Sequence, residues 1–182
     1  MGRILLATLV LISLAPFASA QTTRPATTRP LPSGAGPSAS GVEVKIMSAK
    51  MEFLALKKHS ADNTTEDMIA NDSLLVIRLQ ILNNGKKEIT YQTFNGAGGQ
   101  NDRASLLDSN KKFSAIANFG DLEVVGTTKT ATLKPGESVN DVLAFAPPAN
   151  GAKPVLLYLP AKNHGDNGLW KLEVKMEEAE AK

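Results

Sequence analysis

The sequence predicts an all-β chain folded as an antiparallel sandwich of about 7–9 short strands. Three observations carry this. Apolar and polar residues alternate with a period of two in run after run. Clusters of Asn, Gly, Asp and Pro punctuate the runs about every 8–12 residues. No stretch joins the length of a helix to a 3.6-residue apolar period. Strands of this length each bury one face, which favours two packed sheets over a barrel.

The folded region begins near residue 41. Val42, Val44 and Ile46 alternate with Glu43 and Lys45, as in a half-buried strand, and residues 49–57 continue it after a bend. Residues 59–72 are polar and read as a loop, with Thr64 and Asp67 at the spacing of a capping box around one helical turn. The strongest strand covers 74–82, where Leu75, Ile77, Leu79 and Ile81 share a face. Asn83-Asn84-Gly85 stops it, because these residues tolerate positive φ. Strands follow at 88–94, 104–107, 113–116, 122–125 and 127–133, interrupted by a glycine-rich loop over 95–101 and a tight turn at Asp108-Ser109-Asn110-Lys111. Lys134-Pro135-Gly136-Glu137 is another turn, its proline preset for the first corner and its glycine for the second. Strands at 139–145, 154–159 and 169–176 complete the domain, 41–176, and a charged tail covers 177–182. The inward positions on this reading are Leu75, Ile77, Leu79, Ile81, Val142, Trp170, Leu172 and Val174.

Two segments precede the domain. Residues 1–20 read as a cleavable signal peptide: Arg3 beside the amino terminus, an apolar run over 4–14, then Pro16 and the small residues Ala18-Ser19-Ala20. The run falls short of the roughly 20 residues that span a bilayer, so no transmembrane segment is expected after cleavage and the product is expected to be exported, periplasmic or secreted. Residues 21–40 contain the tandem Thr22-Thr23-Arg24-Pro25 and Thr27-Thr28-Arg29-Pro30 and little that is apolar, the composition of a disordered Thr/Pro/Ser/Gly-rich linker. The chain has no cysteine, which excludes disulfides, thiolate metal sites and a lipidated cysteine at the new amino terminus. Its formal net charge is +2, and the pairs Lys57-Lys58, Lys86-Lys87 and Lys111-Lys112 are scattered, so no nucleic-acid-binding patch is expected.

Four motifs in order carry a resemblance. They are Asn83-Asn84-Gly85-Lys86-Lys87-Glu88-Ile89; Leu106-Leu107-Asp108-Ser109-Asn110-Lys111-Lys112-Phe113; Thr132-Leu133-Lys134-Pro135-Gly136-Glu137-Ser138 leading into Val142-Leu143-Ala144-Phe145-Ala146-Pro147-Pro148; and a closing strand over 169–176. Together they resemble the small exported bacterial immunoglobulin-like domains of unknown function, similar in outline to the mycobacterial secreted immunogenic antigens. The resemblance covers about residues 74–176 and implies an immunoglobulin-like sandwich with a binding role. It brings no catalytic residue with it. The insert over 95–102 and the polar pair Asn140-Asp141 depart from the pattern.

Chemistry is sparse. The two histidines, His59 and His164, lie in polar, loop-like segments. No serine sits in a nucleophile elbow, and the 95–101 loop lacks the Lys-Ser/Thr pair of a phosphate cradle. The most suggestive stretch is Asn163-His164-Gly165-Asp166-Asn167-Gly168. Asp166, Asn163 and His164 are its candidate metal ligands, although a calcium loop usually brings more than one carboxylate. No cofactor is expected. Trp170 is in phase with Leu172 and Val174 and reads as core, whereas Tyr91, Phe94 and Tyr158 are candidates for a small exposed aromatic platform. The expected function is a non-catalytic binding or protein-interaction module of the cell envelope, its partner an envelope protein or glycan. The alternatives are a calcium- or small-ligand-binding domain and an envelope hydrolase with its site near 163–168.

Overall fold

The computed structural model describes residues 40–96, 103–148 and 155–176. The expected signal peptide, all of the leader except Ser40, most of the 95–101 loop and the 177–182 tail lie outside the described residues. Ten strands are present among them: β1 Val42–His59, β2 Thr65–Asn83, β3 Ile89–Gln92, β4 Ser105–Leu107, β5 Phe113–Ala115, β6 Leu122–Val124, β7 Thr130–Leu133, β8 Ser138–Phe145, β9 Val155–Pro160 and β10 Leu169–Val174. A single 3-10 turn, Ala161–His164, links β9 to β10.

The strands form two four-stranded sheets, ordered β6-β1-β2-β8 and β10-β9-β4-β5, and a two-stranded ribbon, β3-β7. All the pairings are antiparallel. If β1, β2 and β8 are taken as strands A, B and E, and β4, β5, β9 and β10 as C, C′, F and G, these are the strand orders of an immunoglobulin-like sandwich. The ten strands stand against an expected count of about 7–9.

Between the sheets lies one continuous core. Val42, Val44, Ile46 and Ala49 of β1 meet Leu75, Ile77, Leu79 and Ile81 of β2, and both pack on Leu106, Val155, Leu157, Leu159, Leu172 and Val174 of the second sheet. A register shift between Ile46 and Ser48 explains how even-numbered and then odd-numbered residues of β1 face the same core.

Two expectations are corrected. The polar stretch 59–72 is mostly strand: β1 runs on to His59, and β2 begins at Thr65. The two form a long hairpin whose turn is held by Asp62, which accepts bonds from the Thr64 amide at 3.1 Å and hydroxyl at 2.7 Å. Polar side chains are compatible with a strand here because this part of the hairpin is largely solvated, so no alternating burial is imposed on it. Val142 is buried but does not enter the main core. It pairs with Arg78, while Asp141 pairs with Leu79 and shares its inward face. Because β8 is apolar on both faces over Val142-Leu143-Ala144-Phe145, its phase is not fixed by its own alternation.

A second apolar cluster lies on the outer side of the first sheet. Leu54, Leu56, Val76, Val142 and Ala144 are covered there by Phe119, Leu122, Val124 and Ala117. β6 builds this cover by pairing with β1 at Leu56, Lys57 and Lys58.

Candidate functional site

Three places concentrate polar or aromatic side chains that the fold alone would not require. The first is buried. Asp141, 0% exposed, accepts bonds from the Tyr91 hydroxyl, the Thr93 hydroxyl at 2.9 Å and the Val142 amide at 2.8 Å. Burial raises its carboxyl above the usual range, and the bonds from Tyr91, Thr93 and Val142 oppose that shift. Tyr91 is raised too, by burial first and then by the charge on Asp141. Tyr91 also meets Phe94 edge to face at 5.6 Å. Thr93 extends the network: its hydroxyl accepts from the Asn95 amide at 3.1 Å, and its carbonyl accepts from the Asn163 side chain at 2.9 Å. The Tyr91, Thr93 and Asn163 bonds join segments distant in sequence. The cluster pins β8, the end of β3 and the 3-10 turn together.

The second place is the corner between β9 and β10. Pro160 leads into the 3-10 turn, and Gly165 ends it at φ 86, a left-handed conformation that suits glycine. The turn carries Asn163 and His164 inward, and both are buried. His164 is 1% exposed, and neither ring nitrogen has a hydrogen-bond partner. Its ring lies 4.5 Å from that of Trp170. Burial lowers its pKa, opposed by the Asp166 charge, whose Oδ2 is 3.9 Å from Nδ1. A buried polar group left unpaired costs about 1–3 kcal/mol. The hydroxyl of Ser40 donates to the same Asp166 oxygen at 2.6 Å.

His164 and Gly165 also line a cleft of about 810 Å³, whose other walls are Ser40-Gly41 and the chain from Asn84 to Thr90. Gly41 and Gly85 touch across it. A Cβ on Gly85 would stand 2.3 Å from the Ser40 carbonyl oxygen, so no side chain fits there. Asn83 fixes this wall from inside by donating to the carbonyls of Lys87 at 2.8 Å and Leu133 at 2.9 Å. A smaller recess of about 310 Å³ lies beside Arg103 and the 117–124 segment. Within it, Glu123 is already bound by Lys129 at 3.2 Å and by His59 at 3.0 Å.

The third place is the outer face of the second sheet. Leu107, Phe113, Leu156 and Tyr158 point away from the core, because their neighbours Leu106, Leu157 and Leu159 point into it. Cross-strand pairing sets Leu107 beside both Phe113 and Leu156. Phe113 is 63% exposed, and its ring lies 5.9 Å from that of Tyr158. Lys171 and Glu173 of β10 pair with Tyr158 and Leu156 at the margin.

The residues singled out in the sequence divide sharply. Asn163 and His164 are buried, while Asp166 stands just beyond the turn. The structure brings His164 and Asp166 close, but no group of three or more His, Asp or Glu side chains placed to hold a metal occurs among the described residues. His59 and His164 do not meet: His59 is exposed and engages Glu123. Of the expected aromatic platform only Tyr158 is outward. Tyr91 and Phe94 are fully buried and Phe113 takes their place, because Tyr91 satisfies its hydroxyl on the inward-facing Asp141. Trp170 is only partly buried, against the core and His164. Asp141 was missed because Val142 was read as the inward residue. β8 is buried on both faces from Asp141 to Phe145, so its own pattern offers no signal of the inward face.

No protein-family model matches the sequence, and no curated protein matches it. Among solved structures, the chain is similar to the yjhA protein from Bacillus subtilis, with a TM-score of 0.51, 12% identity, and coverage of 80% of this chain and 98% of that one. Two weaker likenesses are an uncharacterised β-sandwich protein from Clostridium difficile (TM-score 0.41, 12% identity, 80% and 91% covered) and ycdA from Bacillus subtilis, described as a lipoprotein candidate (TM-score 0.46, 14% identity, 79% and 38% covered). At such identities the likeness to yjhA is one of fold alone. Among the described residues, no helix is long and apolar enough to cross a membrane.

Proposed function

We propose that this protein is a non-catalytic binding module of the cell envelope that engages its partner, an envelope protein or glycan, through the outer face of the second sheet. The observation that carries the reading is the Phe113–Tyr158 pair flanked by Leu107 and Leu156. The outward face of a solvated antiparallel sheet is ordinarily polar. A contiguous apolar patch with charges at its margin is the anatomy of a contact surface. Export, to the periplasm or beyond it, rests on the signal-peptide reading of residues 1–20. The likeness to mycobacterial secreted antigens rests on the order of the four motifs.

The wiring of the polar groups supports a role without catalysis. Ser40 donates to Asp166, and Asp166 lies between Ser40 and His164. A nucleophilic triad needs the histidine in the middle, taking the serine proton. Asp141 is shielded from substrate and engaged on both oxygens. Co-sedimentation with an isolated envelope fraction and with purified peptidoglycan tests the reading. The wild-type protein is expected to be retained by one of them, and a Phe113→Ala/Tyr158→Ala variant to be released. Equal retention of a folded variant contradicts it.

A further inference from the structure

β10 is an edge of the second sheet: it pairs with β9 on one side and with no other strand among the described residues on the other. We propose that this edge is the interface of a homodimer, in which β10 pairs antiparallel with β10 of a second copy about a twofold axis at Leu172. Neither Phe113 nor Tyr158 lies on β10, so this contact stands apart from the outer-face reading.

The backbone phase of β10 fixes which groups are open. The Ala161 amide donates to the Gly168 carbonyl at 3.0 Å, and this pair continues the register that sets Pro160 opposite Leu169 and Leu159 opposite Trp170. Hydrogen-bonded and non-hydrogen-bonded pairs alternate along an antiparallel ladder. Trp170, Leu172 and Val174 therefore direct their main-chain groups to β9, and Leu169, Lys171 and Glu173 turn theirs to the free edge. Pro160 fits this phase, because Leu169 asks no N–H of it. An open row of such groups is a template for another strand.

Charge selects the occupant and the register. Lys171 and Glu173 are exposed, and neither side chain has a partner among the described residues. With the axis at Leu172, Lys171 stands directly across from Glu173 of the second copy, on both sides of the axis, and these are residues whose main-chain groups are open. Moving the axis to position 171 sets Lys171 against itself. Moving it to position 173 sets Glu173 against itself and Lys171 against Lys175. Opposite charges directly across a ladder stabilise it and like charges oppose it. A lysine on an edge ordinarily discourages pairing, but Glu173, two positions on, makes this edge complementary to itself. The same axis sets the partly buried Trp170 beside Val174 of the second copy. The edge of β2 over 65–74, beyond its last pairing with β8 at Leu75, offers no such match: its charged residues are Glu66, Asp67 and Asp72, all acidic. A twofold axis perpendicular to the sheet also keeps the outer faces of both copies on one side.

Sedimentation velocity of the full chain from about 1 to 200 μM tests the pairing. β10 has six residues and makes a short contact, so a dimer with a Kd of the order of 10 μM is expected. Lys171→Glu sets carboxylate against carboxylate and should weaken association at least about tenfold. The exchange Lys171→Glu/Glu173→Lys restores opposite charges across the axis and should recover the dimer. Both side chains are exposed, so these variants should keep the fold. A wild type that stays monomeric over the whole range overturns the proposal, including one that dimerises only after residues 21–39 are removed, which would give the edge to the leader. Association unchanged by Lys171→Glu overturns it too, as does an exchange variant that fails to recover the dimer.

Discussion

The two sheets of the sandwich treat their outer faces differently. On the first, the outward apolar residues Leu56, Val76, Val142 and Ala144 are roofed by the chain's own 117–124 segment. On the second, Leu107, Phe113, Leu156 and Tyr158 have no comparable cover among the described residues, and Phe113 remains 63% exposed. The same contrast recurs among the polar groups. Asp141, carried on β8 of the first sheet, is bonded at both oxygens, whereas His164, in the corner that closes the second sheet, is bonded at neither nitrogen. Over the sandwich proper, the chain covers the first sheet's outer apolar face and leaves the second sheet's open, although the first sheet keeps one buried polar atom without a partner, Arg78 Nη1. Unmade interactions on a stable scaffold mark where a partner or ligand adds free energy. The exception is the far end of the β1–β2 hairpin, where Phe53 and Ile69 are exposed.

Substitutions on the two sheets can break this comparison. The largest effect should come from Asp141→Ala, which strands the Tyr91 hydroxyl, the Thr93 hydroxyl and the Val142 amide at once. About 3 kcal/mol or more of stability should be lost, read as a fall in the urea midpoint. Leu56→Ala should cost about 2–4 kcal/mol, because the side chain is 3% exposed beneath the roof. Phe113→Ala and Tyr158→Ala should each change stability by less than about 1 kcal/mol while removing binding. His164→Phe keeps a ring tilted against Trp170 and deletes two unpaired nitrogens, so it should be neutral or stabilising by about 1 kcal/mol.

Acidity sharpens the contrast further. The folded state lowers the His164 pKa below 6.5, so the unfolded chain takes up that proton first as the pH falls. The stability that His164 contributes is present above 6.5 and is lost as the pH drops through its folded value. Asp141 works in the opposite direction. Its pKa is raised above 3.8, so its contribution is full below 3.8 and is lost as the pH rises through the folded value. Urea midpoints at pH 7 and pH 5 should therefore fall further in the wild type than in His164→Phe. Equal falls would contradict a buried, neutral imidazole.

Much of the sandwich was legible because alternation is a local signal. Leu75, Ile77, Leu79 and Ile81 identify their strand and their face without any knowledge of partners, and Pro135-Gly136 specifies its turn through backbone chemistry, with Gly136 at φ 85. What was not legible depended on pairing between distant segments. The phase of β8 is set by its register with β2, and the polar hairpin over 59–72 is held by its partner strand and the Asp62 turn rather than by side-chain pattern. The 163–168 stretch stood out by composition, but the burial of His164 and its tilted ring contact with Trp170 required the fold. The Phe113–Tyr158 pair was invisible for the same reason, since these rings lie 45 positions apart, from 113 to 158, and meet because β4 pairs with both β5 and β9.

The outer-face reading is tested most directly by a three-way co-sedimentation with the envelope fraction and peptidoglycan, using the wild type, Phe113→Ala/Tyr158→Ala and, for the exposed hairpin end, Phe53→Ala/Ile69→Ala. Retention of the wild type and the hairpin variant, with release of the Phe113/Tyr158 variant, is the predicted result. Release of the hairpin variant alone would place binding on the arm and contradict the outer-face reading.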